Sequence, residues 1–251
     1  APIPPAAADR WERAMALRSI AFDASAELEL RASYAATGSP RLLWEAARSA
    51  LDAGRYGPAM LAVRQVFPQL EARKIDDVPV EVWRIVYPLP YESSLRAHAD
   101  RHEVDPMLVA GLIRQESIFQ ADAVSRAGAI GLMQVLPKTG KQLARREKIK
   151  YNRKKLYEPE YNLRLGTLYL ADLVRTLGSY ESALAAYNAG EDRVALWKGE
   201  RNYEEAAQFV ESIPFTETRE YVQIVLRNAD VYRRIYDAQP ARASGRDGGR
   251  K

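Results

Sequence analysis

The chain has 251 residues, 47% of them apolar, which is enough for one large domain or two modest ones with ordinary cores. It holds no cysteine, so disulfides, thiolate metal sites and a cysteine nucleophile are excluded, as is a lipid-attachment cysteine among these residues. No apolar run approaches the roughly 20 residues that span a bilayer. The net charge of +4 is unevenly spread: residues 141–155 carry eight basic side chains against Glu147, and residues 240–251 carry four against Asp247. The remainder is net acidic, so basicity is concentrated. The opening Ala-Pro-Ile-Pro-Pro follows neither a methionine nor a signal peptide. Two origins stay open: an exported chain whose leader has been removed, or a piece of a longer one.

Residues 1–90 lack catalytic vocabulary and read as helical. A pattern through Trp11, Met15, Ile20, Leu28 and Tyr34 runs from about residue 9 to 37, where Gly38-Ser39-Pro40 stops it. Helices over about 41–53 and 57–67 follow, joined by Gly and Pro turns in the manner of stacked hairpins. So few hairpins predict the end of a superhelix or a segment packed on the next domain. Residues 78–90, with three prolines around Trp83 and Tyr87, read as a connection whose aromatics pack rather than bind sugar.

Residues 91–238 read as a second, helical domain, and 239–251 as a basic flexible tail. Asp105 and Pro106 are suited to cap and start a helix in which Leu108, Val109, Leu112 and Ile113 form one buried face. Glu116 continues that face. A carboxyl group one turn beyond Leu112 is expected to be partly desolvated and to hold a proton near neutral pH, as a general acid requires. Gly128 and Gly131 bracket a short extended run, at most a small β-hairpin around 130–135, where backbone can pass close to a ligand. Pro159 opens a long helix that Gly178 ends, 182–188 form a short one, and a last helix from about Glu217 carries Tyr221, Val225, Tyr232 and Tyr236 on one face.

Four ordered motifs, Glu116-Ser117, Gly131-Leu132-Met133-Gln134, Ala186-Tyr187-Asn188-Ala189-Gly190 and Glu211-Ser212-Ile213-Pro214-Phe215, resemble those of the soluble lytic transglycosylases. The resemblance covers roughly 91–236. It implies an all-α fold: a lysozyme-like catalytic domain preceded by a superhelical segment. It also implies cleavage of peptidoglycan glycan strands between MurNAc and GlcNAc without water, giving 1,6-anhydro ends, and a place in the periplasm or another part of the cell envelope. By position it makes Glu116 the catalytic acid and base, with Tyr187 beside the acid. It puts Ser125 on an N-acetyl group, Gln134 on substrate and Glu217 at the far end of the groove. Asn188 is suited to the turn as well as to sugar, and Glu217 equally to the helix dipole. Ser117, Met133 and Leu136 support the site, Leu136 standing where many relatives have methionine.

No cofactor is expected. His98 and His102 have the spacing of a zinc pair, but the third ligand and the adjacent Glu are missing, so they read as packing or solvated side chains. The 141–155 stretch carries no nucleic-acid motif and only Tyr151 among its charges. It is expected to meet an anionic wall polymer or membrane surface, with a merely solvated face as the alternative. The sequence assigns no oligomeric state. Two rivals remain: a lysozyme-like hydrolase, for which no motif commits Asp122 or Asp192 to activating water, and a non-catalytic wall-binding module, against which Glu116 itself argues.

Overall fold

The computed structural model describes residues 2–200 and 203–237, and the expected basic tail at 239–251 lies outside them. Among the described residues there are thirteen α-helices and no β-strand. Four antiparallel neighbours come first: α1 (Ala8–Ser19), α2 (Asp23–Thr37), α3 (Pro40–Asp52) and α4 (Tyr56–Val66). The single pattern expected over 9–37 is broken at Ala21, whose φ of 58° no right-handed helix accommodates. The break lets α2 fold back on α1 around Ala14, Ala26 and Leu30. Gly38 (φ 67°) ends α2, and Pro40 opens α3.

The expected connection at 78–90 contains a helix, α5 (Val80–Val86), between Pro79 and Pro88. Periodicity is weak over so short an element. Its stability comes from burial of Val82, Trp83, Ile85 and Val86, with the Trp83 indole donating to the Ile75 carbonyl. The main hydrophobic core then runs without interruption from Leu43 to Ile235, so α3, α4 and α5 share a core with the residues beyond 91.

The second part comprises α6 (Glu92–Arg101), α7 (Pro106–Glu116), α8 (Pro137–Arg146), α9 (Pro159–Leu177), α10 (Tyr180–Ala189), α11 (Glu191–Glu200), α12 (Ala206–Ser212) and α13 (Thr216–Tyr236). Its centre is the antiparallel pair α7 and α13. Asp105 Oδ1 caps the Met107 amide at 2.8 Å while Oδ2 accepts from Arg233 at 2.6 and 2.8 Å. At mid-helix Gly111 lets the backbones meet: a Cβ there would lie 2.8 Å from the Val225 carbonyl. The buried Arg114 guanidinium donates to Asn228 Oδ1 and the Val86 carbonyl and lies 4.1 Å from the Tyr87 ring centre. It therefore ties the pair to α5.

Candidate active site

Glu116 is the last residue of α7, delivered by the capped start at Asp105 and the buried run Leu108 to Ile113. On the facing helix, Tyr221 stands where the α7/α13 pairing predicts, and its hydroxyl donates to Glu116 Oε1 at 2.6 Å. Burial pushes the Glu116 carboxyl up to about 7, against the pull of this hydrogen bond, which favours the ionised form and lowers it. No charged side chain contributes to that shift. Burial, then the charge of Glu116, hold the Tyr221 phenol well above its ordinary range, so it remains a donor.

The glycine-flanked segment meets the end of α7 as a loop. Ile130 and Val135 exchange both N–H···O bonds at 3.1 and 3.0 Å, and the intervening Gly-Leu-Met-Gln forms the turn. These are isolated bridges rather than the small hairpin allowed for, since bridging stops at Val124, Ile130 and Val135. Gly131 sits at φ 81°, and a Cβ there would strike Asn162 Nδ2 and the Leu156 carbonyl. Asn162, wholly buried on α9, receives the Met133 amide at 2.8 Å and donates to the Ile130 and Leu156 carbonyls at 2.8 and 2.7 Å. Ser117 Oγ donates to the Leu132 carbonyl at 2.8 Å, joining the end of α7 to the loop. Tyr187 donates to the Met133 carbonyl at 2.6 Å.

Residues 93–210 match the family model described as the Transglycosylase SLT domain. The soluble lytic murein transglycosylase of Escherichia coli K12 is 35% identical over 169 residues, covering 66% of this chain and 26% of that protein. An inactive Glu-to-Gln mutant of the lytic transglycosylase Slt from Pseudomonas aeruginosa superposes with a TM-score of 0.72 at 30% identity, over 96% of this chain and 38% of that one. The 70-kDa soluble lytic transglycosylase of Escherichia coli does so at 0.67 and 28%, over 93% of this chain and 37% of that one. Residues 93–210 of the chain therefore form a lytic transglycosylase SLT domain. The chain spans about a quarter of the length of the curated relatives it matches.

Against the transglycosylase motifs, the structure brings together Glu116, Ser117, Met133, Gln134 and Tyr187. The phenol expected beside the acid, Tyr187, donates to the Met133 carbonyl, and Tyr221 on α13 makes the bond to the carboxylate. Tyr187 still feels the site, since the Glu116 charge adds to burial in raising its pKa. Gln134, at φ 48°, spends its amide nitrogen on the Gly131 and Ala123 carbonyls, leaving its oxygen for a ligand. The remaining residues lie further out. Ser125 is exposed and its hydroxyl accepts from the Ala129 amide, and Leu136 is exposed just before α8. Asn188 is exposed and receives Thr218 Oγ1 at 2.8 Å, fixing α10 to α13. Glu217 is exposed in the first turn of α13. A cavity of about 600 Å³, lined by Thr139, Gln142, Arg145, Tyr169 and Glu191, adjoins Tyr187 through its ring contact with Tyr169.

Sequence reasoning missed Tyr221 and Asn162 as site residues. Each falls on an apolar helical face and reads as core. The available signal was chemical: a phenol or amide placed among leucines and valines must find a partner. Asp122 and Asp192 are exposed, and neither acts on Glu116. Among the described residues no group of three or more His, Cys, Asp or Glu could hold a metal, and His98 pairs with Glu160 at 2.6 Å. No described helix is long and apolar enough to cross a membrane.

Proposed function

We propose that this chain is the catalytic part of a peptidoglycan lytic transglycosylase, cleaving the β-1,4 bond between MurNAc and GlcNAc and leaving 1,6-anhydro-MurNAc ends. The observation that carries this reading is the buried Glu116 carboxyl at the end of α7, bonded by Tyr221 and raised to about 7, with no second acid among the described residues acting on it. Hydrolytic glycosidases ordinarily need two carboxylates, the second to attack or to activate water. Here the protonated Glu116 gives its proton to the glycosidic oxygen, and the bond to the anomeric carbon breaks. The Glu116 carboxylate so formed, held by Tyr221, then takes the proton of the C6 hydroxyl of the same MurNAc as that oxygen closes the anhydro ring. The carboxyl is restored and no water is consumed. A tethered nucleophile is worth effective molarities of about 10⁵ M or more, which offsets the missing carboxylate. A group with a pKa near 7 is suited to serve as both acid and base.

On this reading Gln134 and Ser125 contact substrate through the polar atoms that the loop leaves them, while Ser117, Met133 and Asn162 hold the loop. Asn188 and Glu217 line the distal groove. Residues 91–238 form the catalytic domain, in line with the span of the family match, and 1–90 form a helical segment that shares its core. The reading puts the protein in the cell envelope, where murein is, and lets the 141–155 stretch meet an anionic surface. Mass spectrometry of muropeptides released from purified sacculi tests the proposal: anhydro products, lighter by one water than hydrolytic ones, are expected. Reducing-end products instead would establish the hydrolase.

A further inference from the structure

A second cavity, of about 500 Å³, opens between the α3–α4 turn and the segment that follows Glu116. Three tyrosines, Tyr56, Tyr91 and Tyr157, and three planar polar groups, Arg55, Gln120 and Asp122, line it together with Phe119. None of the side chains assigned above to the chemistry at Glu116 is among them.

Both walls are fixed in place. On the helical side, the buried Glu27 carboxylate accepts from Arg31 and Arg55 at 2.6 Å each, and Arg31 also donates to the Pro58 carbonyl at 2.9 Å. This holds the turn and the Arg55 guanidinium in one position. On the other side, Tyr91, Ile118 and Phe119 adopt φ values of 60°, 52° and 59°, a left-handed conformation that costs non-glycine residues about 1 kcal/mol or more apiece. Phe119 forms the buried floor, edge-on to Tyr56 at 6.3 Å. Tyr91 and Tyr157 are 39% and 37% exposed, and the hydroxyls of all three tyrosines make no hydrogen bond to the described residues. Rings with free hydroxyls beside planar amide, carboxylate and guanidinium groups suit one ligand chemistry. A pyranose lays its C–H face on a ring and offers its rim of hydroxyls to planar polar groups.

We propose that this cavity binds a pyranose of the glycan strand remote from the bond at Glu116, so that the N-terminal helices and the lysozyme-like part grip one strand together. The proposal rests on the murein reading given above. Ile118 lies two residues from Glu116, so a strand held in the cavity is presented to the site by backbone already in left-handed turns.

The test uses Tyr157→Ala and, separately, Gln120→Ala, which removes an exposed side chain. Binding of peptide-free glycan strands, long and short, is measured on chains carrying Glu116→Gln, and turnover on chains that retain Glu116. Loss of an aromatic anchor is expected to weaken long-strand binding about fivefold to tenfold. The KM for long strands rises in parallel, while their kcat and the turnover of a short soluble glycan are unchanged. If Tyr157→Ala does not fold, Gln120→Ala decides the matter by the same readouts with a smaller loss. Unchanged long-strand binding and KM in the folded variants would overturn the proposal. So would equal losses for long and short glycans, because the cavity would then belong to the cleavage site. Absence of anhydro products from the chain with Glu116 intact sinks the transglycosylase reading instead, and the binding measurements remain decisive for this one.

Discussion

Replacing Glu116 with Gln should abolish turnover and at the same time stabilise the fold. The carboxyl has a pKa of about 7 in the native chain against 4.5 as its ordinary value. Between these two pH values the native state keeps the proton that the unfolded state releases, so stability falls as pH rises through the window. Below 4.5 both states are protonated and nothing is lost; above about 7 the whole cost is present. Each pKa unit corresponds to about 1.36 kcal/mol, which makes that cost up to about 3 kcal/mol. Gln keeps the shape and can still accept from Tyr221, but it has no charge to desolvate and no acidic proton to give. Loss of general acid catalysis alone is worth roughly 10²–10⁴ in rate, and loss of the base role adds to it. The assay is thermal unfolding of both proteins from pH 4 to pH 8, beside muropeptide release. The Gln variant should melt several degrees higher at pH 8, with the difference closing towards pH 4. Equal melting temperatures at every pH would refute burial of this carboxyl, and near-normal turnover would refute its role.

Tyr221→Phe removes the bond that favours the carboxylate, so the alkaline limb of the rate profile should move up by about one pH unit from its midpoint near 7, with a lower maximal rate; a limb moving down would contradict the assignment. Asn162→Ala strands the Met133 amide and the Leu156 carbonyl in a buried site and takes one of two donors from the Ile130 carbonyl, which should cost about 3 kcal/mol in urea unfolding and speed hydrogen exchange at the Met133 amide. Wild-type exchange there would show that the loop stands without it. In the basic stretch, Arg146 is bound to Asp172, so the anionic-surface contact is tested on Arg145, Lys154 and Lys155. Changing these three to Gln should reduce binding to intact sacculi and flatten its salt dependence, leaving short-glycan turnover unchanged; collapse of that turnover in a folded protein would assign the stretch to the groove.

What the sequence determined by itself is local. The start of α7 at Asp105 and Pro106, its apolar face and the delivery of Glu116 at its end depend on capping and on a period of 3.6, which neighbours in the chain settle among themselves. Gly128 and Gly131 marked the loop because glycine alone adopts their backbone conformation without strain. Tertiary structure decided whatever depends on a partner far along the chain. Tyr221 meets Glu116 across 105 residues because Gly111 lets α13 cross α7 closely, and Tyr187 turns to Met133 because α10 packs on the loop. The helix within 78–90 and the break at Ala21 belong with these, since burial against distant helices outweighs local propensity there. The raised pKa of Glu116 joins both levels. Sequence placed the carboxyl at the end of an apolar face, and the crossing of α7 and α13, with the loop joined to the end of α7, removed the water that would have kept its pKa ordinary.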